Sequence, residues 1–207
     1  MATRQTSSRG RSRADGNKTR QDLINAADRL LPKLGLAATT SRKIAAEAGT
    51  TVASVNYHFG SKDGLITEVV ANHMVPVMQQ MATDIEALTP SPGRDGVVQV
   101  LTEYSRTMLG KCMTDPILRE AMGVLFSNPE LATQWRANNI SPYLERVIDV
   151  LVDQLEDRSY REVRWRFNLF VDCVSGQIVK RMGFSPEQDM FKGIDEFVTF
   201  MTDAFMA

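Results

Sequence analysis

With 207 residues, 43% of them apolar, and a formal net charge of −1, the chain can bury a real core and has room for one or two domains. Two cysteines, Cys112 and Cys173, are too few and too far apart for a disulfide framework or a zinc site, and both are expected as buried, reduced thiols among apolar neighbours. No apolar run approaches a membrane span, and no apolar stretch follows the basic N-terminus as in a signal peptide, so no membrane partner is expected and the cytoplasm is the expected compartment.

Residues 1–18, MATRQTSSRGRSRADGNK, lack an apolar face and are expected to be a disordered basic arm. Within it Arg11 and Arg13 either reach along a nucleic-acid backbone or belong to a solubilising tail. From Thr19, a candidate cap, Leu23, Ala26, Ala27, Leu30 and Leu34 predict a helix with one apolar stripe that Gly35 can stop. Pro32 removes a backbone donor and predicts a kink in its last turn.

The stretch TTSRKIAAEAGTTVASVNYHFGSK, residues 40–62 at its core, reads as two short helices across a tight turn. Ile44, Ala45 and Ala48 share one face of the first, which Thr40 or Ser41 can cap. Gly49 suits the left-handed residue that ends it. Thr51 can cap the second helix, which is expected to bury Val52, Val55 and Phe59. That is the plan of a helix-turn-helix. The opposite side of the second helix carries Ala53, Ser54, Asn56 and Tyr57, small or neutral polar groups rather than the Glu/Lys mixture of a solvated face. Such a helix fits a DNA major groove, where Asn can pair with adenine and Ala can touch a thymine methyl. Tyr57, His58 and Lys62 follow where it would leave the groove and suit phosphate oxygens. The plainer alternatives are that Asn56 caps a turn and His58 is an ordinary surface histidine.

This stretch resembles the DNA-binding domain of the tetracycline-repressor (TetR) family at Thr40, Ile44, Ala45, Ala48, Gly49, Tyr57, His58, Phe59, Gly60, Ser61 and Lys62. The resemblance covers roughly the first third of the chain. It implies phosphate contacts from Thr40, Arg42, Tyr57, His58 and Lys62, base reading from the helix that starts at Thr51, and a homodimer. Pro32 and Gly64 depart from the usual pattern, and Gly64 is expected to loosen the start of the next helix.

After Lys62 a long helix is expected to about Leu88, kinked at Pro76, followed by a loop rich in proline and glycine. Further helices are expected near Val97 to Met113, Pro116 to Phe126, Pro129 to Asp157, Tyr160 to Gly183 and Pro186 to Phe205, with no strand pattern anywhere. The predicted class is all-α, divided into a basic arm at 1–18, a three-helix DNA-binding domain at 19–62 and a helical effector-binding and dimerisation domain at 63–207. Charge divides similarly. Residues 1–62 hold eleven Lys or Arg against four Asp or Glu, and residues 63–207 thirteen against twenty-one, balances of +7 and −8. The basic end is the expected polyanion-binding face.

The last two helices are apolar on more than one side, which predicts a four-helix contact between two copies through Phe167, Val171, Val174, Ser175, Ile178, Ile194, Phe197, Val198 and Met201. Eleven methionines make a core able to re-pack around an apolar guest. Met78, Met81, Tyr104, Met108, Met122, Phe126, Trp135 and Phe170 are the candidate lining, with Tyr104 or Arg119 as a polar contact; plain core packing is the alternative. In the resembling family this region binds a small molecule that weakens operator binding. The runs VNYHFGS and MGVLFSNPEL, with Trp165, Arg166 and Phe167, are similar to a fatty-acid-responsive subgroup.

The expected function is a homodimeric, ligand-responsive regulator, a repressor released from a palindromic double-stranded DNA operator by a small apolar effector, with no cofactor. An enzyme built on the helical region is not expected: neither His is near a Cys or a carboxylate pair in the sequence, and no phosphate-binding glycine loop or metal-ligand spacing appears. A DNA-binding scaffold without a pocket is the remaining alternative.

Overall fold

The computed structural model describes residues 6–127, 129–155, 157–181 and 193–207, with side chains from Asp15 onward except at 123–127, 129, 131–132 and 179–181. Arg11, Arg13 and Phe126 therefore lie outside the described side chains. Among the described residues every regular element is a helix, and the chain divides into two compact units, Met1–Asn72 and His73–Ala207.

In the first unit α1 (Thr6–Ala38) begins well before Thr19. Once the buried stripe of Leu23, Ala26, Ala27 and Leu31 holds the helix, each added residue requires only propagation, and no proline stands in the way before Pro32. The expected irregular arm is thus helical from Thr6. Thr19 lies inside the helix, its hydroxyl donating to the Asp15 carbonyl at 3.0 Å, and caps nothing. Leu34 is exposed, so the stripe ends at Leu31 instead. Regular geometry breaks at Gly35 (φ 72, ψ 167), three residues after Pro32.

Two short helices, α2 (Ser41–Glu47) and α3 (Val52–Phe59), pack on α1 and on each other. Ile44, Ala45 and Val55 are buried between them, and Arg29 of α1 bonds Glu47 at 2.9 Å. Val52 is 40% exposed, contrary to its expected burial. It is the first residue of a two-turn helix, and period alone does not say how far along a helix its inner face is covered.

The next helix, α4 (Lys62–Ala87), contains Pro76 and contributes to both units. Ser61 caps it, accepting from the Gly64 N–H at 3.0 Å. Gly64 does not simply weaken this start: a Cβ there would collide with the Phe59 carbonyl oxygen, so glycine lets the end of α3 and the start of α4 come together.

The second unit is built round α5 (Arg94–Thr114), which packs against α6 (Pro116–Ser127), α8 (Ser141–Asp153), α9 (Tyr160–Arg181) and α10 (Ile194–Met206). Between α6 and α8 lies α7 (Pro129–Asn139). Periodicity predicts one helix across α7 and α8. The break at Ile140 arises because Pro142, in the first turn of α8, has no N–H to continue the ladder of α7. The predicted final helix from Pro186 has residues 186–192 outside the description. Tyr104, Phe167 and Phe170 form the aromatic centre, Tyr104 meeting the two phenylalanines edge-on at 5.4 and 5.7 Å. The last turn of α10 is held by two guanidinium groups. Arg166 donates to the carbonyls of Ala204 and Phe205 at 3.0 and 2.7 Å, and Arg158 to that of Met206 at 2.7 Å.

The apolar excess of α9 and α10 resolves differently from the expected dimer face. Phe167, Val171, Val174, Ile178, Ile194 and Val198 are buried within the single chain, while Ser175, Phe197 and Met201 are half-buried. The richer stripe of each helix faces α5 and its neighbours. What remains outside is a second, sparser stripe of Trp165, Leu169 and Cys173, one turn apart along α9, and Phe200 on α10. Cys173 is therefore exposed, against expectation, while Cys112 is buried and its thiol is pushed up to about 12 by that burial.

Candidate nucleic-acid interface

Every turn around α2 and α3 is fixed by a short-range bond that the sequence requires. Thr40 caps α2, its hydroxyl accepting from the Lys43 N–H at 3.3 Å, which settles the choice between Thr40 and Ser41. Gly49 has φ 65, a conformation that any side chain would strain. Thr51 caps α3 by accepting from the Ser54 N–H at 3.4 Å. The Ser54 hydroxyl in turn lies 2.8 Å from Thr50 Oγ1 and 3.2 Å from Thr51 Oγ1. Gly60 (φ 73) ends α3 by donating its N–H to Asn56 O at 2.9 Å.

The outward side of α3 so fixed carries Ala53, Asn56 and Tyr57, all exposed, with Tyr57 at 84%. No carboxylate lies on this helix. Ser54 is half-buried and engaged with the two threonines, so of the four predicted groups it is the least available to a partner. His58 is half-buried, with its ring edge to Tyr57 at 4.9 Å. Thr40, Arg42 and Lys43 form an exposed group at the start of α2. Lys62 is half-buried and its ammonium reaches Leu36 O at 3.5 Å, tying the start of α4 to the end of α1. A lysine has three donors, and one such bond leaves others for an anion.

Three supporting residues escape a periodicity reading. Thr39 is fully buried, its hydroxyl donating to Gly35 O at 2.8 Å, which closes the break at the end of α1 just before α2 begins. Arg20 lies over the Phe59 ring at 5.0 Å and is paired with Glu68, so one side chain of α1 fixes the end of α3 and the first part of α4. Lys43 donates to Ala38 O at 2.9 Å. Its position beside Arg42 is the one signal for it in the sequence.

In the second unit Met78, Met81, Tyr104, Met108, Met122, Trp135 and Phe170 are all buried and Arg119 is half-buried. Of these the structure brings Tyr104 and Phe170 into ring contact. Burial drives the Tyr104 hydroxyl far above the phenol range, against the pull of the Arg136 charge.

Residues 23–69 match the family model of bacterial regulatory proteins, tetR family. The HTH-type transcriptional dual regulator CecR of Shigella flexneri is 31% identical over 99 residues, 45% of this chain and 44% of that protein, so the match spans less than half the length of this curated relative. A solved TetR transcriptional regulator from Rhodococcus sp. RHA1 has the same fold with a TM-score of 0.59 at 16% identity, over 93% of this chain and 98% of that one. FadR from Bacillus subtilis, solved in complex with stearoyl-CoA, gives 0.53 at 14% identity over 90% and 97% of the two chains. At such identities the likeness is one of fold.

Proposed function

We propose that this chain is a DNA-binding transcription regulator of the tetR family and works as a homodimeric repressor released from a palindromic operator by a small apolar effector, a reading supported by the family-model match over residues 23–69 and the partial match to CecR. One observation carries the reading: α3 is capped at both ends, free of carboxylates, and presents Ala53, Asn56 and Tyr57 to solvent, while the cations Arg42 and Lys43 are exposed at the start of α2. Ala53 and Asn56 read base edges, while Thr40, Arg42, Tyr57, His58 and Lys62 hold phosphates. The helix-turn-helix at 19–62 is the DNA-binding domain and the remainder receives the effector and a second copy.

The second copy meets the outer stripe of α9 and α10, Trp165, Leu169, Cys173 and Phe200, in place of the residues that the apolar pattern alone suggests. Release follows if the effector prefers the arrangement that cannot bind the operator, since equal affinity for both would shift nothing. The methionine-rich core and the motif resemblance support a long apolar acid or its thioester as effector. FadR, a protein of this fold, is solved in complex with stearoyl-CoA, which is consistent with that choice.

Selection of bound fragments from random duplex DNA tests the whole reading. It should return a two-fold symmetric sequence bound by two copies, and acyl compounds should release it. Recovery of sequences without symmetry, or none enriched, would overturn it.

A further inference from the structure

Among the described residues of the second unit, the half-buried arginines Arg136, Arg146, Arg158 and Arg166 each bond a carboxylate, at Asp172, Glu86, Glu162 and Glu162. Arg119 is half-buried on α6 and has no such partner among the described residues. Acids are not scarce, because residues 63–207 hold twenty-one Asp or Glu against thirteen Lys or Arg. The one best placed along the chain is committed elsewhere. Asp115, four residues earlier and so on the same side of the helix end, accepts from the N–H groups of Ile117 and Leu118 at 2.8 and 3.3 Å through Oδ1 and meets His73 Nδ1 at 2.7 Å through Oδ2.

A guanidinium drawn partly out of water without a counter-charge is unfavourable, and near the N-terminal end of a helix the aligned peptide dipoles add to the cost. An anion from outside would relieve both. Beside Arg119 stand Leu118 and Met122, buried, on a helix packed against α5, α7 and α9, which carry the buried Met108, Trp135 and Phe170.

We propose that Arg119 is the receptor for the anionic group of an amphiphilic effector, an acyl chain ending in a carboxylate or in a phosphate-bearing thioester, whose apolar part enters the methionine-rich core. The proposal rests on the effector reading above and adds the residue that receives the ligand's charge. Neutral and cationic apolar compounds of the same length bind less well.

Calorimetric titration of the full chain with dodecanoate, dodecanol and lauroyl-CoA below their micellar concentrations, for the native protein, R119Q and R119K, tests this. The native protein should prefer an anionic probe over dodecanol by about tenfold or more, as expected for one charge-assisted pair. R119Q should bring that ratio close to one, and R119K should restore part of it, with an unchanged thermal midpoint showing that the fold survives. Dependence of dodecanoate affinity on Arg119 identifies a carboxylate, and dependence of lauroyl-CoA alone identifies the thioester headgroup. An unchanged ratio in R119Q overturns the proposal and leaves the effector reading standing. If the native protein binds none of the three probes, the acyl-effector reading falls with it.

Discussion

His73 Nδ1 stands 2.7 Å from Asp115 Oδ2, so a single half-buried carboxylate ends α5, caps α6 and holds α4. Burial works against its ionisation, but the bonds from His73 and from the Ile117 and Leu118 N–H groups outweigh that and keep it below the usual carboxylate range. A depressed value means that the stabilisation is complete above the unfolded carboxylate range and is lost as pH falls through the folded value.

Asp115→Ala should therefore destabilise the protein by about 1–2 kcal/mol at neutral pH. The difference from the native protein should shrink below about pH 4, where the unfolded carboxyl is protonated. Urea unfolding at pH 7 and pH 3 measures both. A difference that grows in acid would contradict the assignment.

The proposed DNA-binding face separates into two kinds of change. Tyr57→Ala and Lys62→Ala should weaken binding to all duplexes, and the Lys62 change should also reduce the salt slope by about one, the amount expected when one phosphate is no longer neutralised. Asn56→Ala should instead relax sequence preference at one position of each half-site. Fluorescence anisotropy on operator variants across a salt series distinguishes them, and a uniform loss for all three would show that Asn56 does not touch bases.

Two glycines of the first unit should fail for different reasons. At Gly49 the space for a Cβ is open but φ is 65, so Gly49→Ala should cost about 1–2 kcal/mol through backbone conformation alone. Gly64→Ala meets the Phe59 carbonyl and must push α3 and α4 apart, at a cost of about 1–3 kcal/mol. Only the second should also perturb the α3 amide signals in a heteronuclear NMR spectrum.

On α9 the two apolar stripes make opposite predictions. Leu169→Glu, on the outer stripe, should yield a folded monomer by sedimentation analysis, its midpoint dropping only because association no longer stabilises it. Phe167→Ala, in the aromatic centre, should cost about 3–5 kcal/mol of stability. A dimer that survives Leu169→Glu would exclude the outer stripe as the interface.

These contrasts mark what the sequence could and could not disclose. The all-α class and the α2–α3 pair were legible because their signals are local: Thr40 and Thr51 cap helices that begin one residue later, and Gly49 supplies the φ the turn needs. The break at Ile140 was also local, announced by Pro142, and an unbroken apolar stripe obscured it. Gly64 and the inner stripe of α9 were not legible. A glycine that admits a neighbouring carbonyl looks like a poor helix former, and a helix with two apolar stripes does not reveal which one its own chain covers. The first is settled by the path the backbone takes from α3 into α4, and the second by helices distant in sequence that pack on α9, not by the spacing of residue types.

The hydroxyl triad of Thr50, Thr51 and Ser54 makes the front of α3 rigid by turning its most adaptable donor inward. On the proposed reading, Asn56 and Ala53 are what is left to meet base edges, and one amide and one methyl offer little chemistry with which to tell many bases apart. Its operators should share few strictly required letters per half-site and tolerate drift at the others, with selectivity resting on the spacing between halves.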